Sequence, residues 1–235
     1  MTTAQTPPLE AGLTYVEQPD AGALHRLVLR SDAGTAGDGS DGRASDGAAR
    51  TSRRETLWID AGGAASTYGL TAQAPTRRAL RGIRVARAFT AHQHHQLVRN
   101  AVGEASGRTG LVVAPNVGAL YDAADACDAE VDRLFSASLA LLADLADALA
   151  VPVLVSAPRA SEQRRATVRE RADREIECER TDLGYAFATE GFETTGYWQR
   201  GWWQTTIPYW AELCGTVAER TEAFEPTAVA ASLAD

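Results

Sequence analysis

Residues 83–98 read IRVARAFTAHQHHQLV, and this stretch decides the fold. In Ile83–Phe89, apolar residues and arginines interleave, which is typical of a β-strand with one face toward a core. Between His92 and Ser106 the apolar residues are spaced for one face of a helix. They are Leu97, Val98, Ala101, Val102 and Ala105. A strand followed directly by an amphipathic helix is the repeating unit of an α/β protein.

Further strands are predicted on both sides of this unit. They are Leu24–Arg30, Leu57–Asp60, Leu111–Ala114 and Val151–Ser156. A long alanine-rich helix is expected over Ala123–Ala150 and a charged helix over Ser161–Glu175. Strands that alternate with helices predict an α/β fold with three layers, in which helices cover both faces of a mainly parallel central sheet.

Three segments have a different composition from this core of residues 24–175. Residues 1–23 are polar and contain prolines, so we expect a flexible arm. Ser31–Arg54 has five glycines, four aspartates and no large apolar residue, which predicts a disordered loop. Residues 176–235 contain several short β segments and four of the five tryptophans. We expect a C-terminal antiparallel β region there, packed on the same domain.

The composition excludes several classes of protein. The 235 residues are 45% hydrophobic, enough for one sizeable domain. No apolar run approaches the roughly 20 residues of a membrane helix. The three cysteines lie far apart, which argues against a disulfide framework and for a soluble, cytoplasmic protein. The net charge is −8 and all 23 basic residues are arginine, a composition typical of a halophilic, high-GC organism.

Several segments, taken in order, resemble the core of the RecA/RadA recombinases, and of the archaeal RadA type in particular. Leu57–Gly63 (LWIDAGG) is similar to a strand that ends in Asp-Thr-Glu-Gly in that family. Ile83–Val98 is similar to the next strand and helix, with their Ala-Arg-Ala-Phe and His-Gln. Leu111–Asn116 (LVVAPN) stands where the Walker B strand does. The resemblance covers roughly residues 24–157, and the chain has the size of the short RadB-type paralogues.

The resemblance implies an ATP site, but the chain departs from the family at each part of that site. A phosphate loop needs a lysine, the chain has none, and Ser31–Arg54 stands where the loop is expected. The Walker B acid falls at Ala114, and the glutamate that would activate water falls at Gly62. Asp60 remains, and we interpret it as a strand-end cap or turn residue. The Phe-x-x-Ala polymerisation motif is also absent. We predict a pseudo-ATPase with no cofactor and no catalytic residue.

Positive charge is segregated in the chain. Ala61–Gly103 contains no Asp or Glu, although the chain has 31 such residues. The same stretch carries the candidate binding residues Arg77, Arg78, Arg81, Arg84, Arg87 and Arg99. A basic face attracts an acidic protein or the phosphates of DNA. The alternative is that strand arginines such as Arg84 and Arg87 pair with acids from elsewhere in the chain.

Two other groups of residues favour structural roles. Arg159, Arg164, Arg165, Arg169, Arg171 and Arg174 interleave with acids, which predicts a salt-bridged surface helix. His92 and His95 share a helix face, but no nearby cysteine or carboxylate completes a metal site, so no metal is predicted.

The sequence therefore favours a non-catalytic RecA/RadA-like paralogue, an accessory or scaffold protein in DNA recombination and repair. We expect a protein partner, a recombinase being one candidate, with DNA as a second partner and no membrane association. Two alternatives remain open: an enzyme of unrelated chemistry on an α/β scaffold, and a nucleotide sensor that binds without hydrolysis.

Overall fold

The computed structural model describes residues 6–17, 19–31, 55–182, 184–194, 196–199 and 202–205. The chain forms two compact units, one over Thr6–Glu193 and the other containing Thr194–Asp235. The predicted disordered loop Ser31–Arg54 lies outside the described residues, except that Ser31 ends a helix.

The larger unit alternates strands with helices. Its strands are β1 (Gly12–Glu17), β2 (Glu55–Ala61), β3 (Ile83–Ala88), β4 (Thr109–Ala114), β5 (Pro152–Val155), β6 (Arg174–Thr181), β7 (Gly184–Thr189) and β8 (Phe192–Glu193). Its helices are α1 (Ala21–Ser31), α2 (Thr67–Gln73), α3 (Ala91–Glu104), α4 (Ala119–Asp122), α5 (Asp128–Leu149) and α6 (Glu162–Arg171). A short 3-10 helix, Arg77–Leu80, precedes β3.

The eight strands form one mixed sheet in the order β3-β2-β4-β5-β1-β6-β7-β8. Neighbours from β3 to β6 are parallel, whereas β6, β7 and β8 pair antiparallel. Four predicted strands lie in the parallel part: Leu57–Asp60, Ile83–Phe89, Leu111–Ala114 and Val151–Ser156. The predicted α/β class, with its mainly parallel sheet and antiparallel C-terminal strands, is confirmed.

The prediction of a strand at Leu24–Arg30 is wrong, because this segment lies inside helix α1. Leu24, Leu27 and Val28 are buried on the same side, at the three- and four-residue spacing of a helix face. The helix also has a strong start signal, since the Asp20 carboxylate accepts a hydrogen bond from the Ala23 backbone N–H at 2.8 Å.

The expectation of a flexible arm over residues 1–23 is corrected as well. Gly12–Glu17 is strand β1, which lies in the interior of the sheet between β5 and β6. Leu13, Tyr15 and Val16 are all buried. An interior strand that is covered on both faces has no solvent-facing side, so its sequence need not alternate apolar and polar residues. The six residues of β1 therefore lack the alternation by which a strand is usually predicted.

Helices cover both faces of the sheet. On one face, α1 and α2 pack with Trp58 and Leu154 in one core cluster. On the other face, α3, α5 and α6 pack with Ile59 and Val155 in a second cluster. The sheet between these layers is the middle of a three-layer fold.

The C-terminal β region is divided between the two units. Strands β6, β7 and β8 extend the core sheet. Within the smaller unit, β9 (Gly196–Gln199) and β10 (Trp202–Thr205) form an antiparallel pair. The predicted antiparallel segments are therefore present, whereas the tryptophan side chains of residues 198–210 lie outside the described part of the chain.

Candidate functional site

Ligands of open α/β sheets bind outside the carboxyl ends of the parallel strands, where neighbouring connections leave on opposite faces. Strand β1 continues into α1 on one face, and the adjacent β5 continues into α6 on the other. A phosphate loop would connect β1 to α1, so its expected position after Leu24–Arg30 is wrong. Only residues 18–20 separate the two elements, whereas such a loop needs roughly eight.

The start of α1 is occupied by a carboxylate of the chain itself. Asp20 Oδ1 accepts a hydrogen bond from the Ala23 N–H at 2.8 Å, and Asp20 Oδ2 accepts one from the Tyr185 hydroxyl at 3.2 Å. A Cβ added at Gly22 would lie 2.0 Å from the Tyr185 hydroxyl oxygen. Burial, and then the Asp20 charge, raise the pKa of Tyr185. The anion-binding end of the helix is therefore filled by Asp20 and covered by Tyr185.

The acids on either side of this short loop form ion pairs with arginines that follow β5 in the sequence. Glu17, at the end of β1, forms a salt bridge with Arg169, whose guanidinium also lies 5.3 Å from the centre of the Tyr15 ring. Asp20 Oδ2 lies 3.7 Å from an Arg180 nitrogen. A phosphate approaching β1 would therefore meet two ion pairs, whose guanidinium groups are already bound to carboxylates, in place of a lysine.

Gly62 and Ala114 lie where the resemblance puts the two catalytic acids, at the carboxyl ends of β2 and β4. The polar groups there bond to one another. The Asn116 amide donates to the Ala61 carbonyl at 2.9 Å, and Arg159 donates to the Gly62 carbonyl at 3.0 Å. Both bonds tie strand ends together, and Asn116 Oδ1 is buried with no hydrogen-bond partner among the described residues.

Asp60 is a turn residue, as the sequence predicted. It is 0% exposed, and its Oδ1 accepts hydrogen bonds from the Ala64 and Ala65 N–H groups at 2.8 and 3.2 Å. Its Oδ2 accepts from Arg87 Nε at 2.7 Å. Asp60 thus fixes the Gly62-Gly63 turn, where both glycines have positive φ angles.

The structure divides the six candidate arginines into two groups. Arg84 pairs with Glu104 and Arg87 pairs with Asp60, so the alternative interpretation holds for these two strand residues. Arg77 and Arg78 lie on the 3-10 helix, Arg81 follows it, and Arg99 lies on α3. These four are exposed, and no ion pair joins them to another described residue.

Strand β3 is an edge strand of the described sheet. The Gly82 carbonyl accepts from the Thr56 N–H of β2 at 2.9 Å. Because backbone groups alternate in direction along a strand, Val85 directs its N–H toward the free edge. Val85 and the following Phe89 are 46% and 73% exposed. The edge therefore offers backbone hydrogen-bonding groups next to exposed apolar side chains.

A small apolar groove of about 160 Å³ lies beside this edge, between β3 and α3. Its apolar lining comprises Leu57, Ile59, Ala86, Leu97 and Ala101. The Arg84–Glu104 ion pair lies at the same groove.

Four of the six arginines after β5 form ion pairs, as predicted: Arg164, Arg165, Arg169 and Arg174. The predicted helix Ser161–Glu175 is shorter than expected, because α6 ends at Arg171 and Arg174 begins β6. Arg164 bonds to Asp122 at 2.9 Å and to Asp132 at 2.8 Å, and Arg165 bonds to Glu162. Asp122 also accepts a hydrogen bond from the Ser161 N–H at 2.6 Å. These contacts fasten α6 to α4 and α5.

Two of the three histidines of α3, His94 and His95, belong to a polar network with Tyr121 and Ser138. The third, His92, is exposed, and its Nε2 lies 3.1 Å from a Glu130 carboxylate oxygen, so the expectation that no carboxylate lies near these histidines is wrong. His94 Nδ1 lies 2.8 Å from the Tyr121 hydroxyl, which lies 2.8 Å from Ser138 Oγ. His95 Nδ1 lies 2.9 Å from the same Ser138 oxygen. Burial, and then the neighbouring His95, lower the pKa of His94 to about 4. Across the described residues, no three metal-binding side chains lie close enough to hold an ion.

Asp20, Tyr185 and the free edge of β3 were missed by the sequence analysis. Asp20 had a signal, because an aspartate before the apolar periodicity of residues 23–28 is a helix-start pattern. Tyr185 had none, since its contact with Asp20 spans 165 positions of the chain.

This arrangement defines a three-layer α/β protein whose phosphate-binding position is filled by its own side chains. Comparison with solved structures finds 214 matching chains. One is described as the crystal structure of the RadB recombinase, with a TM-score of 0.56 and 15% identity, covering 84% of this chain and 92% of that chain. The likeness shows that the fold is RecA-like.

No family model matches the sequence, and no curated protein matches it either. Among the described helices, none combines the length and the apolar character required to cross a bilayer.

Proposed function

We propose that this chain is a non-catalytic, cytoplasmic RecA-like protein that serves as an accessory or scaffold in DNA recombination and repair. Its primary partner is a protein with an acidic surface, and DNA is the second candidate. The observation that carries the proposal is the filled phosphate position, where Asp20 and Tyr185 occupy the start of α1. The RecA-like fold supports the pathway.

Charge and space support the proposed absence of ATP chemistry. A nucleotide phosphate at α1 would have to displace the Asp20 carboxylate and move the Tyr185 ring. The nearby Arg169 is already ion-paired with Glu17, and the chain has no lysine to bind the phosphates. Magnesium would find Ala114 and Gly62 where the carboxylates of an ATPase are needed.

The surface around β3 suits a protein partner. An extended segment could add to the free edge, bonding to outward backbone groups such as the Val85 N–H. Arg77, Arg78 and Arg81 lie at the amino end of this strand and have no acidic partner among the described residues. Guanidinium groups bond carboxylates bidentately, and such directional pairs need little long-range attraction. The partner is therefore expected to carry acids beside the segment that meets β3.

Titration calorimetry with ATP and magnesium tests the non-catalytic half of the proposal. We expect no binding heat and no phosphate release, because the site is occupied by Asp20. A dissociation constant in the micromolar range, about −8 kcal/mol, would contradict it. Binding without hydrolysis would instead favour a nucleotide sensor.

A pull-down from the source organism at its native salt tests the partner half. We expect Arg77→Glu with Arg78→Glu to abolish capture of the partner, because both side chains are exposed and neither has an ion pair with a residue that the structure describes. Arg133→Glu with Arg171→Glu is the control, since it makes the same change in net charge on the opposite face of the sheet. Equal capture by both double variants would refute an arginine-dependent interface.

A backbone variant tests the edge itself. Val85→Pro removes the outward N–H, and proline is tolerated at such an edge position. Val85→Thr keeps the N–H and the branched shape. We expect capture to be lost with Val85→Pro and kept with Val85→Thr.

If instead a small metabolite copurifies and is converted by the protein, the enzyme alternative gains support.

A further inference from the structure

One carboxylate joins the start of α1 to the tip of the β6–β7 hairpin. Asp20 contacts the Ala23 N–H on the helix and the Tyr185 hydroxyl and Arg180 guanidinium on the hairpin. Arg180 and Tyr185 stand directly opposite each other in the antiparallel register. Opposite residues project from the same face of a hairpin. Asp20 therefore contacts both members of a cross-strand pair, Tyr185 through a hydrogen bond and Arg180 as an ion pair at 3.7 Å.

The packing around this carboxylate is close. Phe187, two residues beyond Tyr185 on the same face, is buried with Leu24 and Leu27 of α1. A Cβ at position 22 would force the Tyr185 ring to move, because the Tyr185 hydroxyl lies where that atom would be. The hairpin thus rests on α1 through an apolar contact, and Asp20 adds a polar contact between them.

We propose that Asp20 is an intramolecular substitute for a bound anion, which holds the β6–β7 hairpin against the start of α1. In phosphate-binding proteins the N–H groups at such a helix start bind the ligand's phosphate. In this chain the Asp20 carboxylate supplies the negative charge. The carboxyl end of β1 therefore keeps one conformation without a ligand, as a scaffold requires. This role of Asp20 does not depend on which partner the scaffold binds.

Hydrogen exchange on the full chain with Asp20→Ala tests this role. The substitution removes a carboxylate and leaves room for an ion of that size, so sodium formate is the probe. Sodium chloride at equal concentration controls for ionic strength. We expect backbone N–H groups of β6 and β7 near Arg180 and Tyr185 to exchange faster, on the order of tenfold, because a charge-assisted hydrogen bond is lost. Formate, but not chloride, should slow the exchange toward the wild-type rate.

The wild-type chain is the matched control, and formate should leave its exchange unchanged because the position is occupied. Unaltered exchange in Asp20→Ala would overturn the proposal, as would an acceleration that formate does not reverse. If Asp20→Ala does not fold, Tyr185→Phe removes a single hydroxyl from the contact. It should accelerate exchange in the hairpin and not in α1, and equal exchange to wild type would overturn the proposal.

Discussion

Acid should destabilise this protein through His94. The side chain is 0% exposed, and burial together with the neighbouring His95 lowers its pKa to about 4, compared with 6.5 when unperturbed. The unfolded chain therefore takes up a proton at a higher pH than the folded chain does. Stability from this residue is complete above pH 6.5 and is lost as the pH falls toward 4.

The magnitude follows from the two pKa values. Linkage between them predicts a loss of about 2 kcal/mol by pH 5 and about 3 kcal/mol by pH 4. Such a loss is a large share of the 5–15 kcal/mol that typically stabilises a domain.

Urea unfolding of the wild type and of His94→Gln, measured at intervals from pH 7 to pH 4, isolates this contribution. The variant has no titrating group at this position, so its unfolding free energy should fall less than that of the wild type by the amounts above. His92→Gln is the matched control on the same helix, because it leaves His94 in place and should keep the full loss. Parallel curves for wild type and His94→Gln would refute the reasoning.

Three further variants test the contacts of Asp60, the packing at Gly22 and the core under α5, each by urea unfolding at neutral pH. Asp60→Ala should cost about 3 kcal/mol, because it leaves Arg87 and two turn N–H groups without their buried acceptor. Gly22→Ala should cost about 1–3 kcal/mol through its clash with Tyr185, and the cost should shrink in a chain that also carries Tyr185→Ala. Leu142→Ala should cost about 2–5 kcal/mol, since Leu142 is fully buried in the core beneath α5.

Strands could be predicted from the sequence where an apolar run is bounded by turns and the partner strands are close in the chain. Strands β2, β3 and β4 have neighbours on the sheet that are close in sequence, and their apolar runs are bounded by turns. The prediction for Leu24–Arg30 failed because seven residues are too few to separate a two-residue period from a helical period, and the apolar residues at 24, 27 and 28 have the spacing of a helix rather than a strict alternation. Gly12–Glu17 failed because its neighbours, β5 and β6, lie far along the chain.

The absence of the usual phosphate loop could be predicted from composition, since such a loop needs a lysine and the chain has none. The residues that occupy the corresponding position, Asp20 and Tyr185, could not be predicted from the sequence. The pairing of Arg87 with Asp60 spans 27 positions and that of Arg84 with Glu104 spans 20. Charge segregation along the sequence therefore overstated the exposed positive charge, because acids just outside the acid-free stretch neutralise two of its arginines.

The interior place of β1 has a consequence for biosynthesis. Gly12 pairs with Pro152, so about 140 positions of chain lie between β1 and its first partner. At roughly 5–20 residues per second, a ribosome needs on the order of ten seconds to supply that partner. Until then Leu13, Tyr15 and Val16, which are buried in the folded sheet, have no β5 to pair with. The nascent chain therefore exposes an apolar segment during that interval.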